Sequence, residues 1–104
     1  MGPNPSQIAA LEDWLRAAFP EAQVSAEGDF DREVYLFRAR ENKRGGNRYE
    51  IEISYETFED HSAAKIVTML NGINAAERLE TEPNSRFFLD RFFNFGRSKY
   101  GNTG

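Results

Sequence analysis

The chain has no cysteine, one histidine and one tryptophan among its 104 residues. Without thiols there is no disulfide, no thiolate zinc site and no cysteine nucleophile, so stability has to come from a packed core. No apolar run approaches the roughly 18 residues of a membrane-spanning helix. Met1-Gly2-Pro3-Asn4 offers neither the basic nor the apolar part of a leader segment. The expectation is a cytoplasmic protein with no membrane association. Gly45-Gly46 fits neither a P-loop nor G-x-G-x-x-G, so it reads as a turn and not a phosphate cradle.

Catalytic groups are equally sparse. The sole histidine, His61, lies in Asp60-His61-Ser62, where consecutive side chains diverge and cannot form a triad; a surface or helix-capping role fits it better. Asp29, Asp31 and Glu33 alternate in the manner of oxygen ligands along one face of a strand, but lack the loop glycine and terminal glutamate of an EF-hand. They read as solvated acids that discourage edge-to-edge association. Seventeen acidic residues make some carboxylate pair inevitable, and no spacing marks one for acid–base work. No cofactor or metal is expected, and the balance is against an enzyme.

What is present is aromatic: nine Phe, four Tyr and one Trp, enough large side chains to fold a chain of this length as one domain. The net charge of −4 is segregated. Residues 1–31 carry −5, 32–55 carry +2, 56–85 carry −4 and 86–104 carry +3. Two basic stretches on an acidic chain are candidate anion-facing surfaces, although broad phosphate neutralisation is not available to them.

Asn4-Pro5-Ser6-Gln7 predicts a helix start, with Asn4 as N-cap, Pro5 at the first position and Gln7 reaching back. Ile8, Leu11, Trp14, Leu15, Ala18 and Phe19 then share an arc of about 140°, and Pro20 stops the helix. From Glu21 the period becomes two. Ala22, Val24 and Ala26 predict a short edge strand, Arg32 to Arg40 a second strand and Arg48 to Tyr55 a third. Centring the hairpin on Gly45 sets Phe37 opposite Ile53, Ala39 opposite Ile51, Arg38 opposite Glu52 and Arg40 opposite Glu50. That pairing leaves Lys43, Arg44 and Arg48 unpaired at the tip.

Glu56 to Asn71 returns to helical spacing, with a break near His61-Ser62 that would take Glu59 out of the apolar stripe. Asn74 to Glu82 adds a helical turn or two before Pro83. Asn84 is placed as the cap of a last helix from Ser85 to about Phe95, with Phe88, Leu89, Phe92, Phe93 and Phe95 on one face and Phe87 beside Arg91 on the other. The predicted architecture is α+β: an N-terminal helix, a three-stranded antiparallel meander and two to three C-terminal helices. One domain covers residues 1–95, and 96–104 is a flexible tail. The Phe-rich helix is expected either to close over the second sheet face, where Val34 and Leu36 need cover, or to form an interface.

Two surfaces exceed the background of an ordinary core. Phe87, Arg91, Phe93, Arg97 and Tyr100 form an aromatic and basic set of the kind found at interface hot spots. The leading expectation is therefore a non-catalytic module that binds an unidentified protein partner or itself, as a homodimer. Lys43, Arg44, Arg48, Tyr49 and Lys99 supply the alternative, a nucleic-acid contact through the hairpin tip and tail. The order helix, meander, helix is shared by double-stranded-RNA-binding domains. Their lysine cluster at the last helix is reduced here to Lys65, preceded by Glu59 and Asp60, and the order alone identifies no family.

Overall fold

The computed structural model describes residues 2–98. Helix α1 (Pro5–Ala18) begins as its sequence dictates: the Asn4 side chain accepts from the Gln7 N–H at 2.8 Å, and the Gln7 side chain accepts from the Asn4 N–H at 3.0 Å. Its Leu11, Trp14 and Leu15 are buried, and Phe19 ends it by stacking on Tyr49 with ring centroids 4.1 Å apart.

Strands β1 (Ala22–Asp29), β2 (Val34–Glu41) and β3 (Arg48–Ser54) form the antiparallel meander. The β2–β3 register differs from the one centred on Gly45. Phe37 stands opposite Ile51, Arg38 opposite Glu50, Ala39 opposite Tyr49 and Arg40 opposite Arg48. The turn sets this register: the Glu41 N–H donates to the Asn47 carbonyl at 2.8 Å, the Asn47 N–H donates to the Glu41 carboxylate at 2.7 Å, and Gly45 takes a positive φ of 72°. A shift of two residues keeps every side chain on its predicted face, where a shift of one would have inverted them all. It does change which charges meet.

Ser54 caps α2 (Tyr55–Asp60), the chain breaks at His61, and Ser62 caps α3 (Ala63–Gly72) by accepting from the Lys65 N–H at 3.1 Å. Helix α4 (Ala75–Thr81) follows. The expected last helix is absent. Residues Arg86–Leu89 form β4, parallel to β3, and Phe95–Arg97 form β5, antiparallel to β4, so the sheet has five strands in the order β1-β2-β3-β4-β5. The three-stranded meander followed only by helices is thereby overturned.

The reason is visible in the alternation: Phe87 and Leu89 face the core, whereas Arg86 and Phe88 are partly exposed. A strand buries Phe87, which a helix would have left beside Arg91. Asn84 is no helix cap. It adopts a left-handed φ of 65°, donates its N–H to the Arg48 carbonyl at 2.8 Å and accepts from the Arg48 N–H at 3.0 Å, extending the β3–β4 contact. The Asp90 carboxylate, accepting from the N–H groups of Phe92 and Asn94 at 2.9 Å each, makes the turn into β5. Residues 96–98, expected in the tail, comprise the end of β5 and the buried Ser98, while 99–104 lie outside the described residues.

Residues of all four helices pack with the Phe37, Ile51, Ile53 and Phe87 face of the sheet to form the core. The opposite face, with Arg38, Arg40, Arg48, Glu50, Glu52 and Arg86, has none of the described helices over it. No described helix is long and apolar enough to cross a membrane.

Candidate anion-binding site

On the helix-free face, strand alternation and register bring arginines together around two glutamates. Arg38 on β2, Glu50 on β3 and Arg86 on β4 are in direct register, one row across three strands. Glu50 is 1% exposed and accepts from Arg38 Nε at 2.5 Å and Arg86 Nε at 2.9 Å, with Arg48 Nε at 3.5 Å. Glu52, equally buried, takes a two-pronged contact from Arg32 at 2.7 and 2.8 Å, Arg86 Nη1 at 3.1 Å and the Ser98 hydroxyl at 2.8 Å. Arg86 ties the two carboxylates together.

Burial opposes ionisation of Glu50, but hydrogen bonds from Arg86 and Arg38 outweigh it and hold its pKa below the ordinary glutamate value. At Glu52 burial is likewise outweighed, by Arg32, Ser98 and Arg86. Arg86 is desolvated too, yet the two carboxylates raise its pKa. Glu50, Glu52 and Arg86 are therefore charged at neutral pH. A general base works best with a pKa near the operating pH, so these two carboxylates are poor candidates for proton transfer.

The remaining positive charge gathers at the hairpin end. Arg40 stands directly opposite Arg48, and the Arg40 side chain makes no hydrogen bond or ion pair among the described residues. Arg38, Arg40, Arg48 and Arg86, with Asn84 and Glu50, line an open basin of about 390 Å³. A second concavity of about 430 Å³, lined by Lys43 and Arg44, shares Arg40 and Gly46 with it. The geometry offers guanidinium forks to phosphate or carboxylate oxygens.

The expected tip set is divided by the structure. Lys43, Arg44 and Arg48 fall on this continuous basic region. Tyr49 is buried on the other face, against Phe19, and Lys99 lies outside the described residues. A pairing centred on Gly45 matches both Arg38 and Arg40 to glutamates and so gives no reason to assign them to a site. Arg86 and Asn84 were hidden by the helix assignment. The signal that was present is the same-face alternation Arg38, Arg40 and Arg48.

The C-terminal set does not form one surface. Phe87 is fully buried in the core. Arg91 donates to Asp60 at 2.7 Å and Glu56 at 3.1 Å, and lies 5.9 Å from the Phe92 ring. Phe93 is partly buried, 4.4 Å from His61, whose Nε2 lies 2.9 Å from the Arg91 carbonyl. Arg97 meets Glu82 at 3.2 Å and the Ser85 hydroxyl at 2.8 Å, and Tyr100 lies outside the described residues. Among the described residues the large exposed hydrophobics are instead Phe30 at 83% and Phe92 at 76%. The Asp29 carboxylate accepts from the N–H groups of Asp31 and Arg32 and shapes the β1–β2 turn.

Among the described residues no group of three His, Cys, Asp or Glu side chains is placed to hold a metal ion. No protein-family model, curated protein or solved structure matches this chain.

Proposed function

We propose that this chain is a non-catalytic, cytoplasmic binding module that takes the phosphates of a nucleic-acid strand on its helix-free sheet face. The observation that carries the reading is the basin itself, in which four arginines and a single glutamate, Glu50, are among the lining residues and Arg40 stands directly opposite Arg48. Directly opposed like charges destabilise a sheet, so their juxtaposition makes physical sense where an anion is to be received. The basin continues to Lys43 and Arg44 at the tip, giving a path longer than a single anion. Among the described residues no aromatic side chain is part of the basin lining, which supports recognition of backbone charge over base stacking.

The test is fluorescence anisotropy with labelled single- and double-stranded DNA and RNA of mixed sequence, titrated with salt. Affinity should fall steeply with salt, by a slope of about 0.7 per phosphate contacted on a single strand. The pairs Lys43→Glu with Arg44→Glu, and Arg40→Glu with Arg48→Glu, should each weaken binding. No binding at low salt ends the proposal.

Protein binding or self-association remains a second reading, carried by the exposure of Phe92 next to Arg91. Light scattering over a concentration series separates it. A wild-type dimer that Phe92→Ser makes monomeric supports it, and a strict monomer removes its homodimer version.

A further inference from the structure

We infer that Glu50 is the positioning residue of the arginine basin: buried at its floor, it holds Arg38, Arg48 and Arg86 by their Nε edges so that their guanidinium groups are presented together to an incoming phosphate. This rests on the anion-binding reading above and assigns the site its internal organiser.

The geometry separates Glu50 from the other acids nearby. It sits in the middle strand of three, in direct register with Arg38 on one side and Arg86 on the other. Its contacts run to Nε in each case: 2.5 Å for Arg38, 2.9 Å for Arg86 and 3.5 Å for Arg48. The Nη groups of Arg38 and Arg48 make no hydrogen bond among the described residues. An arginine is long and loses much rotamer freedom on immobilisation. Anchoring its Nε edge in advance reduces what the ligand must order. The Arg40 side chain has no such anchor among the described residues and adds charge without preorganisation.

Glu27 provides the contrast. It lies 3.9 Å from Arg38, its side chain is 69% exposed, and it makes no other ion pair among the described residues. Toward an anion it acts as a nearby negative charge and nothing more. Glu52 does not line the basin. Its register neighbours are Leu36 and Phe88, and it draws on Arg32, Arg86 and Ser98.

The two roles predict opposite signs. If Glu50 were only a competing charge, removing it would strengthen anion binding. As a positioning group its removal weakens binding although the site becomes more positive. The experiment uses the full chain and a short fluorescein-labelled oligothymidylate, read by anisotropy across a salt series, with Trp14 fluorescence confirming that each variant is folded. Glu27→Gln should bind as tightly as wild type or tighter. Glu50→Gln should bind about tenfold more weakly, the loss expected when one charge-assisted hydrogen bond is no longer made. Its salt slope should be shallower, because fewer phosphates are engaged. Glu50→Asp keeps the charge but withdraws the carboxylate by one methylene, and should also bind more weakly; it stands in for Glu50→Gln if that variant does not fold.

Tighter binding by Glu50→Gln, or unchanged affinity in Glu50→Asp, overturns the inference while leaving the basin as the binding site. If wild type does not bind, or Arg40→Ala binds as wild type does, the anion-binding reading fails and takes this inference with it.

Discussion

Arg40 stands directly opposite Arg48 across the antiparallel β2–β3 ladder, two like charges at a position where a carboxylate partner would favour pairing. A pair of this kind costs stability in the free protein. Under the proposed function, relief of this repulsion by a bound anion would link stability to binding.

That link makes a double prediction for Arg40→Glu. Converting the repulsive pair into an attractive one should raise stability by about 0.5 kcal/mol, the usual size of a cross-strand charge pair. The same change should weaken nucleic-acid binding several-fold. Urea denaturation and anisotropy on one preparation measure both; a variant that loses stability and keeps affinity contradicts the account of this pair.

The Glu50–Glu52 network should set the acid limit of the fold. Both carboxylates have native pKa values held below the ordinary glutamate value of 4.5 by their arginines. A depressed native pKa contributes stability that is fully present above the unfolded-state value and is lost as pH falls through the native one. Unfolding free energy should therefore be flat near neutrality and begin to decline as pH drops into the ordinary glutamate range. The decline should be shallower in the doubly substituted Glu50→Gln, Glu52→Gln protein, measured by urea denaturation at successive pH values.

Glu52→Gln alone should be costly at neutral pH. It leaves Arg32 and Arg86 facing an amide in a site where the carboxylate is 1% exposed. Breaking a buried pair costs about 3–5 kcal/mol. Because the two arginine side chains are 25% and 21% exposed, water recovers part of this and a loss of about 2 kcal/mol is expected. Trp14, the single tryptophan, is largely buried with its indole N–H donated to Asn71 at 2.9 Å, and reports the transition by fluorescence.

Two phenylalanines five residues apart should behave oppositely. Phe87 is fully buried and stacks on Phe95 with centroids 5.0 Å apart, so Phe87→Ala should destabilise by about 3–5 kcal/mol. Phe92 is 76% exposed, and Phe92→Ala should change stability by no more than about 0.5 kcal/mol. Comparable losses at both positions would contradict the strand assignment of β4.

Helix capping gives a local check. Ser62→Ala removes the side-chain acceptor for the Lys65 N–H at the start of α3 and should cost about 1 kcal/mol, read from the same denaturation curves.

Local signals determined much of this protein. Asn4, Pro5 and Gln7 specified the start of α1, the period-two stretches specified three strands and their faces, and His61-Ser62 marked the break between α2 and α3. Each depends on neighbours a few residues away, so the chemistry needed to read it is contiguous. The register of β2 against β3 was not local in this sense. It depends on how Glu41 and Asn47 close the turn, and a displacement of two residues left the faces intact while exchanging Arg40's expected glutamate for Arg48.

The C-terminal strands were decided by tertiary structure alone. The stretch from Ser85 to about Phe95 carries a helical stripe when read by itself, but β3 offers an open edge. Pairing there satisfies the backbone and buries Phe87 and Leu89 against Ile51 and Ile53. That pairing also brings Arg86 beside Glu50, from 36 residues away in sequence. The sequence therefore determined which residues face away from the helices, and only the parallel β3–β4 contact decided that four arginines on that face meet in one basin.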